Sequence, residues 1–405
     1  MPLTEDSNPL TEGEFAALMA RVGPFAGDRR VVVGVSGGAD SMALALLLRR
    51  WGKPEAAIVD HGLRAESGAE AALTAARLAA LGIPARIWRA RIGAGAGLAD
   101  RARQARYALL SQACREAGCA DLLLAHHAQD QAETVQMRQD AGSGPAGQSG
   151  MAAIVYDDAA RRVRPLLQVP PARLRATLRA AGVLWVEDPT NRDLRTKRAR
   201  LRSEMGPGSV AEACEAASRY GRLRRATEAA VADELATVCL YPEGFAYAPV
   251  PLGPASVSAL VWTLSGRPYP PSPRKVGTMR AGTLGGVVVR PAGRFGPGWL
   301  LAREPDAVAG PVAAQAGARW DGRFLLEDTV DGATVGALGA EAARFRRHSA
   351  LPAIVLRGLP ALRVGAEVIA VPYLDFPQSA AWPSVNLRFC PARPAVGAAF
   401  FVGSS

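Results

Sequence analysis

The chain has 405 residues, more than one ordinary domain needs and enough for two or three. It carries 48 lysines and arginines against 37 acidic residues, a formal excess of +11, and 49% of it is apolar, which excludes a mainly disordered chain. No run approaches about 18 apolar residues, so no membrane span is expected, and the acidic start lacks the pattern of a secretory signal. Five scattered cysteines without a CxxC pair argue against a disulfide framework or a zinc knuckle and favour a cytoplasmic protein with reduced thiols.

The first half of the chain alternates predicted helices and strands. Thr11 and Glu14 have the spacing of a capping box and open the first helix. Short apolar runs predict four buried strands, at residues 31–35, 56–60, 85–90 and 121–125. Stretches with helical periodicity separate or follow these runs, at residues 42–50, 67–81, 97–117 and 129–140. This alternation predicts an α/β fold built on a parallel, doubly wound sheet.

The later segments are less regular. Residues 151–156 are expected to return to the sheet, and two basic helices are expected at 170–181 and 195–204. Gly206-Pro207-Gly208 marks a break, after which 209–238 is predicted as a long helix followed by Pro- and Gly-rich sequence with short strands. We therefore predict three parts: an α/β catalytic domain at 1–206, a helical and mixed domain at 207–318, and a small α+β region at 319–405.

The positive charge is concentrated in one segment. Between Arg161 and Glu204 there are twelve lysines and arginines and four acidic residues, a local excess of +8. Only three of the chain's 48 cationic residues are lysines, so one interpretation is that this protein simply uses arginine wherever a surface cation is needed. The local imbalance favours the other interpretation, contact with a polyanion, because guanidinium groups pair well with phosphates.

The strongest chemical motif follows the first predicted strand and reads Ser36-Gly37-Gly38-Ala39-Asp40-Ser41. Its glycines permit positive φ and close backbone approach, so successive N–H groups can bind an anion at the N-terminus of the next helix. The Asp40 carboxylate would repel a bare phosphate, but it is useful if it holds Mg²⁺ on a polyphosphate. The motif lacks the GK[ST] ending of a Walker loop and the GxGxxG of dinucleotide sites. It therefore predicts a nucleotide-binding loop of another kind.

This hexapeptide resembles the PP-loop of ATP pyrophosphatases, and four further motifs narrow the resemblance. In chain order they are Val59-Asp60-His61-Gly62-Leu63-Arg64, Ala102-Arg103-Gln104-Ala105-Arg106-Tyr107, Leu124-Ala125-His126-His127-Ala128-Gln129-Asp130-Gln131-Ala132-Glu133-Thr134 and Trp185-Val186-Glu187-Asp188-Pro189-Thr190-Asn191-Arg192-Asp193. Together they resemble the tRNA(Ile)-lysidine synthetase family. The resemblance is strong over about 30–205 and weaker at Arg267-Pro268-Tyr269-Pro270-Pro271 and Thr283-Leu284-Gly285-Gly286.

The resemblance implies an activity. Enzymes of that family use ATP to adenylate the C2 carbonyl oxygen of the wobble cytidine in the isoleucine tRNA with a CAU anticodon, and the lysine ε-amine then displaces AMP. It implies ATP and Mg²⁺ as cofactors, tRNA(Ile) and free lysine as substrates, and tRNA contacts after residue 206. A base in an RNA loop must leave its stack and enter a pocket to react. A cytoplasmic enzyme is expected, and a homodimer is left open.

The resemblance also implies roles for individual residues. Four are expected to be catalytic: Asp40, Arg103, His126 and Asp130. Asp40 is expected to hold Mg²⁺, and Asp130 to be its acidic partner, either for the metal or for the lysine amine. His61 and Arg64 are expected to line the nucleotide site beside the hexapeptide. Four cations are expected to bind tRNA: Arg195, Arg198, Arg200 and Arg202. His127 is expected to point away from the site, because adjacent residues of a strand or helix face different sides, and for the same reason the two histidines make a poor zinc site.

Four glutamines depart from the family pattern. Gln129 stands where an aspartate is common, and Gln136, Gln139 and Gln148 stand where leucine is usual. Gln136 and Gln139 are three residues apart, so they share one face of a predicted helix. Three interpretations follow: this face meets RNA or solvent, the helix packs loosely, or the sequence has been altered there.

Two other functions stay open. One is a different PP-loop enzyme that adenylates tRNA, although a thiolase would need cysteine pairs, a glutamine-dependent synthetase would need a domain with a nucleophilic cysteine, and an ammonia-dependent NAD synthetase would be shorter. The other is a tRNA-binding protein that keeps the ATP fold without catalysis. The intact hexapeptide and Asp130 argue against it.

Overall fold

The computed structural model describes residues 8–93, 97–157, 160–187, 197–277, 279–377 and 385–402. The chain forms two compact units. The first comprises the residues up to 226 and those from 398 onward, and the second comprises residues 227–397. The division expected at 206 and 318 remains a prediction. Within the ranges given above, no helix is long and apolar enough to cross a membrane.

The first unit is an α/β domain. Its strands are β1 (Arg30–Val35), β2 (Lys53–Asp60), β3 (Ala85–Arg89), β4 (Asp121–Leu123), β5 (Ile154–Tyr156) and β6 (Arg161–Val163). Its helices are α1 (Glu12–Arg21), α2 (Ala39–Trp51), α3 (Ser67–Ala80), α4 (Leu98–Glu116), α5 (Ala128–Asp140), α6 (Pro145–Gln148), α7 (Pro171–Ala180), α8 (Lys197–Glu204) and the start of α9 (Pro207–Leu235). The four predicted strands are all present, so the predicted α/β class is confirmed.

The sheet has the strand order β3-β2-β1-β4-β6-β5 and is parallel except for the edge strand β5. The chain leaves β1 toward β2 on one side and later returns to β4 on the other, where Val33 pairs with Leu123. The carboxyl ends of β1 and β4 therefore lie side by side where the strand order reverses, which is where open α/β sheets bind ligands. The hexapeptide follows β1, and the segment His126–Asp130 follows β4.

Helix α2 lies between the sheet and helices α1 and α7, and this position explains its composition. Apolar residues cover its whole circumference, including Met42, Leu44 and Leu47, and all three are buried. A helix that is apolar all round is stable only when neighbours cover every face. Burial of α2 therefore fixes its N-terminus, which carries the hexapeptide.

Strand β6 was not predicted, and it changes the interpretation of the basic segment. Its sequence is Arg-Arg-Val, so charge masked the strand signal. Several arginines of the segment pair with acids that lie outside it: Arg161 with Asp121 at 2.6 Å, Arg162 with Asp157 at 3.0 Å, and Arg173 with Glu14 at 2.9 Å. The local excess of +8 is therefore not one continuous surface for a polyanion, because part of it is neutralised within the fold.

The second unit is α+β. Its strands are β7 (Cys239–Tyr241), β8 (Phe245–Ala248), β9 (Gly282–Leu284), β10 (Val287–Pro291), β11 (Trp299–Arg303), β12 (Val312–Ala313), β13 (Arg319–Trp320), β14 (Phe324–Leu326), β15 (Thr334–Ala337), β16 (Pro360–Val364), β17 (Glu367–Ala370) and β18 (Leu387–Phe389). They form antiparallel sheets with the orders β7-β8-β11-β10-β9, β12-β15-β16-β17 and β13-β14-β18. Its helices are α10 (Pro254–Ser265), α11 (Pro273–Val276), α12 (Ala342–Phe345) and α13 (Ala353–Gly358). The described residues also form short 3-10 helices at Gly293–Phe295, Pro305–Ala307, Gly339–Glu341 and Pro372–Leu374.

A buried ionic cluster joins two of these sheets. Asp321, in the turn between β13 and β14, accepts from Arg303 Nε of β11 at 3.0 Å and from Arg323 Nε at 2.8 Å. All three residues are buried. The two guanidinium groups therefore depend on one carboxylate for their charge balance.

Asp321→Asn should lower the free energy of unfolding by about 3–5 kcal/mol, because it keeps the side-chain shape but leaves buried guanidinium groups without a counter-charge. Urea denaturation of the full chain measures this. The control is Asp306→Asn, since Asp306 is 89% exposed and pairs with Arg357 at 3.6 Å; its cost should stay below about 1 kcal/mol. Equal costs for the two variants would contradict the structural role of Asp321.

Candidate active site

A cavity of about 980 Å³ opens at the carboxyl ends of β1, β2 and β4. Its walls come from the hexapeptide, the end of β2, the segment after β4, and helices α7 and α8. Most motifs that the sequence singled out before residue 206 contribute lining residues. Parallel strands bring these distant segments together because their carboxyl ends share one edge of the sheet.

The hexapeptide forms a closed loop on the first turn of α2. The Ser36 N–H donates to Ser41 Oγ at 3.2 Å, and Ser41 Oγ donates to the Gly38 carbonyl at 3.0 Å. The Val186 N–H donates to the Gly37 carbonyl at 2.9 Å, and Gly37 has a φ of +88°. Gly38 is the N-cap of α2 and offers no side-chain cap, so within the described part of the chain the first-turn N–H groups are available to an anion.

His127, not His126, faces the hexapeptide. Its Nε2 lies 3.4 Å from Asp40 Oδ2 and 3.5 Å from Asp130 Oδ2, and the side chain is buried. The expectation that His127 would point away was wrong for a local reason. His127 is the N-cap of α5 with extended backbone, so neither strand nor helix alternation governs its direction.

His126 has a different environment. Its Nδ1 accepts from Arg164 Nε at 3.3 Å, and Arg164 is itself buried. Burial, with the charge of Arg164 beside it, lowers the pKa of His126 to about 3. His126 is therefore neutral at physiological pH, although it also lines the cavity.

The pKa values of Asp40 and His127 move in opposite directions. Burial alone would raise the pKa of Asp40, but the hydrogen bond and charge of His127 outweigh burial and lower it. Burial alone would lower the pKa of His127, but the hydrogen bond to Asp40 and the charge of Asp130 outweigh burial and raise it. The pair therefore favours an ionised carboxylate beside a protonated imidazole.

Without ATP and Mg²⁺, the stability advantage of wild type over His127→Gln should shrink as the pH rises from about 6 to about 9. A raised histidine pKa gives stability that is fully present below the unfolded value of 6.5 and is lost as the pH rises through the folded value. Urea denaturation at several pH values measures this. The control is His126→Gln. Because the pKa of His126 is lowered, the stability that His126 contributes is lost only as the pH falls, so the advantage of wild type over this variant should not shrink between about pH 6 and pH 9.

Arg202 of α8 contacts two acids of the site. Its Nε lies 2.7 Å from Glu133 Oε1, its Nη2 lies 3.0 Å from Asp130 Oδ1, and Glu133 is fully buried. Arg202 therefore has an internal partner in addition to any role in binding tRNA. Arg198 lines the same cavity and Arg200 is exposed, while Arg195 lies outside the described residues.

Of the two arginines that share a face of α4, Arg106 lines the cavity and Arg103 is exposed. The Arg103 guanidinium lies 5.3 Å above the Tyr107 ring. Burial lowers the pKa of Arg106. His61 and Arg64 also line the cavity, and Arg64 pairs with Glu70 at 2.7 Å.

Two arginines of α7 are further functional candidates that the sequence analysis did not single out. Arg175 and Arg179 of α7 line the cavity, are exposed, and have no hydrogen bond or ion pair with described residues. Arg175 also lies near enough to Asp40 to lower its pKa. Their i, i+4 spacing on a predicted helix was a usable signal, since it puts two cations on one face.

The glutamines of α5 and α6 meet solvent or local partners. Gln136 Nε2 donates to Asp140 Oδ1 at 2.8 Å, Gln139 is exposed, and Gln148 Nε2 donates to the Ser143 carbonyl at 3.2 Å. Gln129 Nε2 is buried without a hydrogen-bond partner in the described part of the chain. Of the three interpretations of these glutamines, the first, a helix face that meets RNA or solvent, fits Gln136 and Gln139.

Residues 10–209 match a family model described as a PP-loop domain, so fold and site together define a PP-loop ATP-using protein. Among curated relatives, the tRNA(Ile)-lysidine synthase of Ruegeria pomeroyi is 36% identical over 377 residues, which cover 85% of this chain and 88% of that protein. The chain belongs to the tRNA(Ile)-lysidine synthase family, which confirms the resemblance seen in its motifs.

Other similarities are less extensive. The tRNA(Ile)-lysidine synthase of Bradyrhizobium sp. is 42% identical over 241 residues, covering 57% of this chain and 66% of that protein. Among solved structures, the U34-tRNA thiolase NcsA from Methanococcus maripaludis is 18% identical, with a TM-score of 0.43, and covers 52% of this chain and 77% of that one.

Proposed function

We propose that this protein joins lysine to C2 of the wobble cytidine in the isoleucine tRNA with a CAU anticodon, converting ATP to AMP and pyrophosphate. The observation that supports this most is the arrangement at the sheet's switch point. There the uncapped N-terminus of α2, which carries Asp40, lies beside His127 and Asp130, in a chain of the tRNA(Ile)-lysidine synthase family. Because tRNA and ATP are cytoplasmic molecules, the proposal also implies a cytoplasmic enzyme.

Two displacements make up the proposed reaction. In the first, the C2 carbonyl oxygen attacks the α-phosphorus, the bond from that phosphorus to the β-phosphate oxygen breaks, and pyrophosphate leaves. In the second, the lysine ε-amine attacks C2, the C2–O bond breaks, and the oxygen departs with AMP as the amine loses a proton. The free N–H groups at the start of α2 would hold the phosphates during the first step.

The carboxylates fit a magnesium site. Asp40 Oδ1 is buried and has no hydrogen-bond partner among the described residues, so it has a lone pair to give. No group of three or more His, Cys, Asp or Glu side chains in the described ranges could hold a metal by itself. This suits Mg²⁺, which binds through one or two carboxylates plus substrate phosphates and would neutralise the leaving pyrophosphate. We assign Asp40 and Asp130 as its protein ligands.

Arg175 and Arg179 of α7, which have no ion pair with a described residue, would bind the phosphate chain. Arg175→Gln and Arg179→Gln should each raise the dissociation constant for ATP about tenfold, because each removes a charge-assisted hydrogen bond. Calorimetry of ATP binding measures this. Arg173→Gln is the control, since Arg173 lies on the same helix but pairs with Glu14, and it should leave ATP affinity unchanged. Equal losses in all three variants would contradict a local role for Arg175 and Arg179.

Pyrophosphate release tests the proposed function. With ATP, Mg²⁺, lysine and the isoleucine tRNA bearing CAU, the protein should release pyrophosphate and AMP, and omission of the tRNA should abolish turnover. An elongator methionine tRNA, which shares the anticodon sequence, should support far less turnover. Release of ADP, or equal turnover without tRNA, would contradict the proposal.

A further inference from the structure

The segment between α10 and α11 is a short loop tied down at both ends. We call residues 266–272 the tyrosine loop. At its start, Trp262 Nε1 donates to the Arg267 carbonyl at 2.9 Å and the Arg267 N–H donates to Ser265 Oγ at 3.3 Å. At its end, Ser258 Oγ donates to the Pro271 carbonyl at 2.6 Å. Both ends are therefore anchored on α10.

Tyr269 stands in the middle of this loop and is 80% exposed, the largest value among the large apolar side chains that the structure describes. Pro268 and Pro270 flank it and restrict its backbone. Its hydroxyl has no hydrogen bond to a described residue. An aromatic ring held in water on a stiff support loses little conformational freedom when it binds a flat partner.

The sequence around the tyrosine loop is basic. Residues 244–303 contain seven lysines and arginines and no acidic residue, and one of the seven, Arg303, is buried and paired with Asp321. Within the second unit, the guanidinium of Arg393 lies 5.8 Å from the Trp262 ring at the base of the loop, and Arg267 is exposed. Neither arginine side chain has an ion pair with a described residue. The partner of this surface is therefore expected to be anionic.

We propose that Tyr269 stacks on an unpaired base of the tRNA while Arg267 and Arg393 contact neighbouring phosphates. Aromatic rings beside unpaired cations are the means by which proteins bind single-stranded RNA segments, since the ring takes the base and the cations take the backbone. The proposal rests on the proposed function, which supplies tRNA as the anionic partner.

The test measures binding of the isoleucine tRNA transcript to the full chain by filter binding at several salt concentrations. Tyr269→Ala should raise the dissociation constant about tenfold, whereas Tyr269→Phe, which keeps the ring, should stay within about twofold. Tyr156→Ala removes another exposed tyrosine, 59% exposed in the first unit, and should change nothing. Tyr269→Ala should keep the wild-type salt dependence, while Arg267→Gln should reduce its slope by about one, because only the arginine displaces a counterion.

The outcomes separate this proposal from the proposed function. Wild-type protein that neither binds the tRNA nor releases pyrophosphate with it contradicts the proposed function. Wild-type protein that binds the tRNA while Tyr269→Ala binds equally well overturns the stacking proposal alone. A loss in Tyr269→Phe as large as that in Tyr269→Ala also overturns it, because the aromatic ring would then not be the binding element.

Discussion

Asp40→Asn should reduce tRNA-dependent AMP formation about a thousandfold or more while leaving the fold intact. The substitution keeps the size of the side chain but removes the charge that Mg²⁺ would need at the buried, unpartnered Oδ1. It also removes the partner that raises the pKa of His127. Single-turnover assays with saturating ATP measure the loss in the chemical step rather than in ATP binding.

The control for this prediction is Asp157→Asn. Asp157 belongs to the same unit and pairs with Arg162 at 3.0 Å, away from the cavity lining. This variant should keep AMP formation within about twofold of wild type, because a partly exposed ion pair contributes little. An Asp40→Asn enzyme that retains most of its turnover would remove Asp40 from the mechanism.

Gly37→Ala should abolish ATP binding and lower the free energy of unfolding by about 1–3 kcal/mol. A Cβ at this position would lie 2.4 Å from Thr74 Oγ1, and the φ of +88° is unfavourable for any residue with a side chain. Thr74 is 1% exposed and its hydroxyl donates to the Glu70 carbonyl, so it cannot move aside cheaply. The backbone of the hexapeptide must therefore shift. Chemical denaturation and ATP titration measure the two effects.

The neighbouring glycine provides the control. A Cβ at Gly38 would have Ser36 Oγ at 3.6 Å as its nearest neighbour, which is ordinary contact, and its φ of −71° suits alanine. Gly38→Ala should therefore unfold at the same denaturant concentration as wild type. Equal stability of the two alanine variants would show that the hexapeptide does not need the positive φ at Gly37.

The sequence predicted the catalytic fold well because its signals are local. The run Val31–Val35 is β-branched and apolar, as a strand buried on both faces must be, and the hexapeptide follows it directly. The order of the motifs then placed Asp40 and Asp130 at neighbouring strand ends. The structure brings both within 3.5 Å of one histidine.

The choice between neighbouring residues could not be made in the same way. Whether His126 or His127 faces Asp40 depends on the backbone of a helix N-cap, which no periodicity describes. Whether Arg103 or Arg106 enters the cavity depends on the rotation of α4 against the sheet. Such choices arise from tertiary packing, so a sequence pattern can narrow a site to adjacent candidates without deciding between them.

The second unit was the least predictable part because its strands are short and its pairings are distant. Strand β14 pairs with β18, where Phe324 lies opposite Phe389, across more than sixty residues. Strands of two or three residues such as β12 and β13 carry no alternation that a sequence pattern can detect. The ionic cluster around Asp321 was missed for the same reason, because its members are joined only by the fold.

Nucleoside analysis of the tRNA after reaction tests the central claim most directly. After incubation of the isoleucine transcript with ATP, Mg²⁺ and lysine, the wobble cytidine should have gained the mass of one lysine less one water, and the released AMP should equal the modified nucleoside in amount. The Asp40→Asn protein should leave the cytidine unchanged. An unmodified wobble cytidine with wild-type enzyme, or AMP released without this mass gain, would contradict the account.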